Sequence, residues 1–301
     1  MAKPTLEGIR GTVGLWSFAH ESLPPARSAE PVALAESLGF SAYWYPEAGG
    51  REALVNASLL SSGGTRIIVG SAIASIWARD ASAAIGGART IAATSGERFV
   101  LGLGVSHGPL VERRGGQHYE QPLATMEGYL DAMAHASMYS PERGEAPPVL
   151  LAALGPKMLE LAASKADGAL PYLVTPEHTA MARETMGPDA FLAVEQAVAL
   201  TEVDEEFRDL AARHLSGSIG LANYLSSWRR LGFDDFDFVG GGSSRLQDAL
   251  VAHGDEPAIW ARVEEHFAAG ADHVSLQILS ADPMSPPYED WRRLSPGVRD
   301  Q

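Results

Sequence analysis

Nine histidines, 38 carboxylates and no cysteine set the chemistry open to this 301-residue chain. Without a thiol there is no disulfide scaffold, thiolate metal site, iron–sulfur cluster or cysteine nucleophile. The histidines form no HxH or HExxH pair, so no metal site is expected. His107 is the candidate for proton exchange near neutral pH, a loop-structuring role being the plainer reading. Glu47, beside the aromatic run Tyr43-Trp-Tyr45, could act as an acid or a polar anchor, or be a solvated loop carboxylate. A glycosidase needs two converging carboxylates, and Glu47 has no evident partner, so that class is excluded. Gly102-Leu-Gly104, followed by Val105-Ser-His-Gly108, would let backbone approach a bound ring or phosphate, or would simply turn a strand. It lacks the third glycine of a GxGxxG dinucleotide fingerprint. Leu154-Gly155-Pro156-Lys157 leads into a helix whose first N–H groups and dipole suit a phosphate, with the Lys157 ammonium nearby; a plain turn is the alternative.

These residues need elements to hold them. Apolar residues make up 46% of the chain and charged ones 20%, which is a globular composition with ample core and excludes wholesale disorder. A net charge of −15 argues against nucleic acid or an anionic membrane as main partner, so a bound anion must find a local positive field. No signal-peptide pattern and no 18-residue apolar run is present, and the expected location is the cytoplasm, with no membrane association.

Short β-rich runs alternate with helical patterns. The expected strands are Thr12–Ser17, Tyr43–Tyr45, Arg66–Gly70, Arg98–Gly104, Val149–Ala152, Gly168–Tyr172, Phe191–Leu200 and His273–Leu279. Asp80, Thr175 and Asp255 are expected helix caps, and another helix is expected to start near Ser243. Eight strand–helix units predict an α/β fold, a (β/α)8 TIM barrel forming a single domain over 1–301, with a helical insertion at about 203–250 between strands seven and eight. A doubly wound open sheet is the alternative. In a barrel the working groups sit at the C-terminal strand ends, which selects Trp16, Glu47, the stretch from Ala72 to Trp77, Gly104 to Gly108, Leu154 to Lys157, and Tyr172.

Several of these segments carry a family resemblance. Tyr43-Trp-Tyr-Pro-Glu47, Ala78-Arg-Asp80, Arg98-Phe-Val-Leu-Gly-Leu-Gly-Val-Ser-His107, Leu151-Ala-Ala-Leu-Gly-Pro156, Ala166-Asp-Gly-Ala169 and Gly270-Ala-Asp-His-Val274 resemble the luciferase-like monooxygenase superfamily, and within it the F420-dependent oxidoreductases. The resemblance implies a (β/α)8 barrel holding coenzyme F420, or alternatively FMN, over its mouth. It implies a cis peptide at Ala72-Ile73, with Ser75 following, beneath the cofactor ring. Gly104, Val105, Ser106 and His107 would lie along the ring, and Leu154, Gly155, Pro156 and Lys157 near the phosphate. It further implies hydride transfer at the deazaflavin C5 to or from a small organic substrate, a proton moved through His107, and a homodimer. Trp16, Trp77 and Tyr172 are expected to wall the substrate, and Arg51, Arg113, Arg114 and Lys157 are the cations to inspect. Sugar-phosphate and alcohol dehydrogenases of the superfamily carry an acidic residue and a histidine at positions matching Glu47-Ala48, and a glutamate where this chain has His107. Ala48 and His107 depart from that pattern, so those two activities are not expected here. An FMN-dependent monooxygenase fed by a partner reductase, and a non-catalytic flavin- or deazaflavin-binding protein, are the competing functions.

Overall fold

The computed structural model describes residues 3–113, 119–139, 145–282 and 285–299. Eight parallel strands follow in chain order: β1 (Thr12–Trp16), β2 (Ala42–Tyr45), β3 (Ile68–Ser71), β4 (Phe99–Gly104), β5 (Val149–Leu151), β6 (Gly168–Ala169), β7 (Phe191–Ala199) and β8 (His273–Ile278). β8 pairs with both β7 and β1, which closes the sheet into a barrel and removes the free edges that a doubly wound sheet would keep. A two-residue strand, Ala74–Ser75, pairs with β4 beyond a break after β3. Another, Val251–His253, pairs with the tail of β7 and is not expected from the sequence. Between β7 and β8 the chain forms helices Asp204–Ser216, Ala222–Arg230, Ser244–Leu250 and Glu256–Ala268. Among the described residues no helix is long and apolar enough to cross a membrane.

The side-chain period of two sorts each strand between two cores. One face fills the barrel interior with Ala42, Trp44, Ile68, Val100, Leu150, Leu170, Phe191 and Ala193, joined by Leu6 and Ile9 from the N-terminal segment. The other face packs beneath the helices: Leu15, Tyr43, Val69, Leu101, Leu192 and Val274 belong to that larger cluster. The helices start where the sequence provides acceptors. Asp80, Thr175, Ser243 and Asp255 each accept the N–H three residues on, an arrangement whose loss typically costs about 1 kcal/mol per helix. His273 is buried and its Nε2 accepts from the Trp44 indole at 3.1 Å, which gives it a structural place low in the barrel.

Two inward-facing glycines are required by contact. A Cβ on Gly70 would sit 2.3 Å from the Trp44 ring, and one on Gly102 would sit 1.9 Å from the Ser71 carbonyl oxygen. At Gly102 the neighbour is backbone, and the Ser71 hydroxyl both accepts from the Gly102 N–H at 3.0 Å and donates to the Gly102 carbonyl at 2.9 Å. Gly102→Ala therefore forces β3 and β4 apart and is expected to destabilise the protein by about 1–3 kcal/mol; an unchanged urea midpoint would contradict this packing.

Candidate functional site

The C-terminal strand ends surround a cavity of 740 Å3, within the range of about 300–1,000 Å3 usual for small-molecule sites. Its construction begins at the end of β2. The Glu47 N–H donates to the Ile73 carbonyl at 3.2 Å, and the Glu47 carboxylate accepts from the Ser75 N–H at 2.8 Å and the Ala53 N–H at 3.3 Å. Arg79 pairs with the same carboxylate and donates to the Ser75 carbonyl at 3.1 Å. Both charged side chains are more than nine-tenths buried. The segment between β3 and Ala74–Ser75 is thereby held from two sides, with a cis peptide at Ala72-Ile73 and both residues on the cavity wall. Glu47 also borders the cavity, but its oxygens already have three kinds of donor, so its geometry is that of an anchor rather than an acid.

Gly104 lies behind the wall: a Cβ there would meet Ile73 Cγ1 at 2.5 Å. The glycine lets the Ile73 side chain pack over β4, and Val105, Ser106 and His107 then continue along the cavity. Ser106 takes a left-handed conformation, φ 54°, which turns the chain before His107. Trp77 donates its indole N–H to the Val105 carbonyl at 2.7 Å. It braces this loop from outside, and neither it nor Ser75 lines the cavity, in contrast to the expected placement of both.

His107 is half-buried, and burial lowers its pKa below 6.5 against the opposing hydrogen bond to Asn223. Its Nδ1 lies 2.9 Å from Asn223 Oδ1. The amide oxygen can only accept, so Nδ1 carries the proton and Nε2 of the neutral ring is an acceptor. With this tautomer the neutral imidazole offers Nε2 as a proton acceptor.

Across the cavity, Gly155 precedes the helix Pro156–Lys165, which starts without a side-chain cap. The Leu154 carbonyl accepts from His178 Nε2 at 3.0 Å and from Arg230 Nη2 at 3.2 Å, fixing the turn before the helix. A Cβ on Gly155 would find only Arg230 Nη2, at 3.7 Å, so a ligand can approach the backbone closely. Lys157 and Arg230 both line the cavity. Of the other expected cations, Arg51 is engaged with the His20 and Leu23 carbonyls, Arg113 is exposed outside the lining, and Arg114 lies outside the described residues.

Trp16 and Tyr172 form one aromatic side, their ring centroids 5.3 Å apart. The Tyr172 hydroxyl donates to Gln277 Oε1 at 2.7 Å, and Tyr224 from helix Ala222–Arg230 adds a third ring, 6.4 Å from Tyr172. Asn223, Tyr224, Arg230 and Glu195 are site residues that the sequence reading missed. Among the described residues no group of three or more His, Asp or Glu could hold a metal ion.

A family model described as luciferase-like monooxygenase matches residues 12–273, and the chain belongs to that family. A Mycobacterium tuberculosis protein, provisionally named a coenzyme F420-dependent oxidoreductase, is 30% identical over 202 residues; the match spans 57% of this chain and 57% of that protein's length. The coenzyme F420-dependent tetrahydromethanopterin reductase of Methanopyrus kandleri superposes with a TM-score of 0.73 at 16% identity, covering 95% of this chain and 96% of that one. The oxygenating constituent of the 3,6-diketocamphane monooxygenase of Pseudomonas putida, solved with FMN, superposes with a TM-score of 0.67 at 15% identity, covering 97% and 99%. At these identities the structural likeness speaks for the fold alone.

Removing one partner of a buried ion pair leaves the other charge desolvated, at a cost of about 3–5 kcal/mol. Glu47→Ala is accordingly expected to destabilise the protein by about that amount in urea unfolding. A midpoint equal to wild type would show that the Glu47–Arg79 contact does not hold the cavity wall.

Proposed function

We propose that this chain is an F420-dependent oxidoreductase that transfers a hydride between the deazaflavin C5 and a small organic substrate. The observation that carries the reading is the pairing, in one cavity, of an apolar wall at Ile73 and Val105 with an uncapped helix N-terminus flanked by Gly155, Lys157 and Arg230. A flat ring with a phosphorylated tail fits that donor set: the wall receives the ring, and the helix end with two cations supplies a local positive field in a protein of net charge −15. The name of the M. tuberculosis relative favours F420 over FMN.

When bound, the coenzyme supplies hydride exchange at C5. The protein's part is to orient, to exclude water and to manage protons. Ala72, Ile73 and Val105 support one face of the ring. Trp16, Tyr172 and Tyr224 keep the substrate side apolar. His107, held by Asn223, accepts a proton at Nε2. Each turnover leaves the coenzyme changed by one hydride, so a separate enzyme must return it to its starting state, an F420- or flavin-reducing partner where the substrate is the one reduced; that partner, a cytoplasmic location and the homodimer implied by family resemblance belong to this reading.

Fluorescence titration of the apoprotein is expected to show F420 binding tighter than FMN, with Lys157→Ala and Arg230→Ala each weakening it about tenfold, the worth of one charge-assisted hydrogen bond. Micromolar FMN binding with no F420 response would reverse the choice of cofactor. Tight F420 binding without turnover of ketones, enones, imines or alcohols would indicate a binding protein.

The acid–base role of His107 has its own test. Because its pKa lies below 6.5, the neutral, proton-accepting ring prevails above that value and is lost as pH falls through it. His107→Gln is expected to lower kcat about 100-fold and to abolish the decline in rate on the acid side. An unchanged rate and profile would remove His107 from the chemistry.

A further inference from the structure

Glu195 stands in the middle of β7, on the face that carries Phe191 and Ala193 into the barrel interior. It is 4% exposed and borders the cavity. Its Oε2 accepts one hydrogen bond, from the Leu173 N–H at 3.0 Å, while Oε1 is buried without any partner. Among the described residues no cation pairs with it; burial and the Leu173 N–H are what act on it. The titratable groups that face it are Tyr172, from the segment after β6, and Tyr224, from helix Ala222–Arg230. β8 presents Ser275 in register with it. The cavity's Arg230 is turned to the Leu154 carbonyl instead.

A carboxylate in these surroundings would carry an uncompensated buried charge, whereas a carboxylic acid would hold one unused O–H donor. Trp16, on the same cavity, also has its indole N–H buried without an acceptor. A buried donor without an acceptor is costly in the free protein and available to a ligand.

We propose that Glu195 is the substrate-recognising group of the cavity floor, a neutral carboxyl that donates from Oε1 to the carbonyl oxygen of an uncharged substrate and turns away anionic ones. Burial pushes its pKa up to about 8, against the one opposing bond from Leu173 N–H, so the acid form prevails at neutral pH. The same arrangement disfavours carboxylate substrates, whose charge would be buried beside Glu195 with a neutral donor and no cation facing it. The inference rests on the cavity being the substrate site but not on which cofactor occupies it: exchange of F420 for FMN would leave it standing.

The test uses the apoprotein, with Trp16 and Trp44 on the cavity wall as fluorescent reporters and two probes of similar size, acetophenone and benzoate. In the Lys157→Ala/Arg230→Ala protein, which lacks the two cations lining the cavity, acetophenone is expected to bind at pH 7 at least tenfold more tightly than benzoate, and in the wild-type protein to weaken about tenfold between pH 7 and 9 as Glu195 ionises. Glu195→Gln retains a donor and is expected to bind acetophenone without that pH dependence, whereas Glu195→Leu is expected to bind it weakly throughout. A second readout needs no ligand. With the folded pKa near 8 and the ordinary value at 4.5, the unfolded chain loses this proton first, so Glu195 makes stability fall as pH rises from 4.5 to 8. The Tm of wild type should drop relative to Glu195→Gln across that window. Absence of acetophenone binding, equal binding of benzoate by the Lys157→Ala/Arg230→Ala protein, a pH dependence that survives in Glu195→Gln, or parallel Tm profiles would each overturn the proposal. F420 titration is a separate measurement, so failure of the cofactor assignment would be visible independently.

Discussion

The site depends on a clamp between two neighbouring strands. Glu47 leaves the end of β2 with its backbone N–H on Ile73 and its carboxylate on Ser75, while Arg79 closes the loop from the far side. An ion pair this well buried is a weak source of net stability, because desolvation offsets most of the attraction. Its consequence is geometric: Ile73 and Ser75 are tied to the end of β2 and to Arg79 by their backbone groups. The path of residues 72–75 puts Ala72 and Ile73 on the cavity, lays the Ile73 side chain against Gly104 and leads to the stretch from Val105 to His107 along the mouth.

The barrel supplies what the clamp cannot. Closure through β8 lets every inward side chain work against neighbours on both sides, so the interior can be filled low down by Trp44, Phe191 and Leu150 and left open above them. The long connection between β7 and β8 brings helix Ala222–Arg230 over that opening. It contributes Asn223, which fixes the His107 tautomer, Tyr224, which extends the aromatic side, and Arg230, which joins the uncapped helix start at Gly155. Two titratable groups on one cavity are thereby driven apart: burial lowers His107 and raises Glu195. Such divergence is how one site holds a proton acceptor and a proton-bearing donor at the same pH.

The sequence carried most of the barrel because its signals are local. Asp80, Thr175, Ser243 and Asp255 announce helix starts through their own side chains, and β-rich runs between them leave little choice of architecture. The Leu154–Lys157 turn was legible for the same reason. Glu195 was not: β7 is buried on both faces over all nine residues, so the alternation that would mark an inward-facing carboxyl is hidden in a run that reads as core. Arg230 and Asn223 were hidden by chain distance, as nothing near them in sequence records that their helix crosses the mouth. Trp77 shows the converse limit, since a strand-end position says that a residue is near the mouth but not which way its ring faces.

The position of the cofactor decides the assignment. A crystal structure of the protein soaked with F420 should show the deazaflavin ring against Ala72, Ile73 and Val105, with its phosphate at Gly155, Lys157 and Arg230 and Glu195 reachable from the ring's open face. A coenzyme bound elsewhere on the barrel, or one whose phosphate avoids the start of helix Pro156–Lys165, would contradict it.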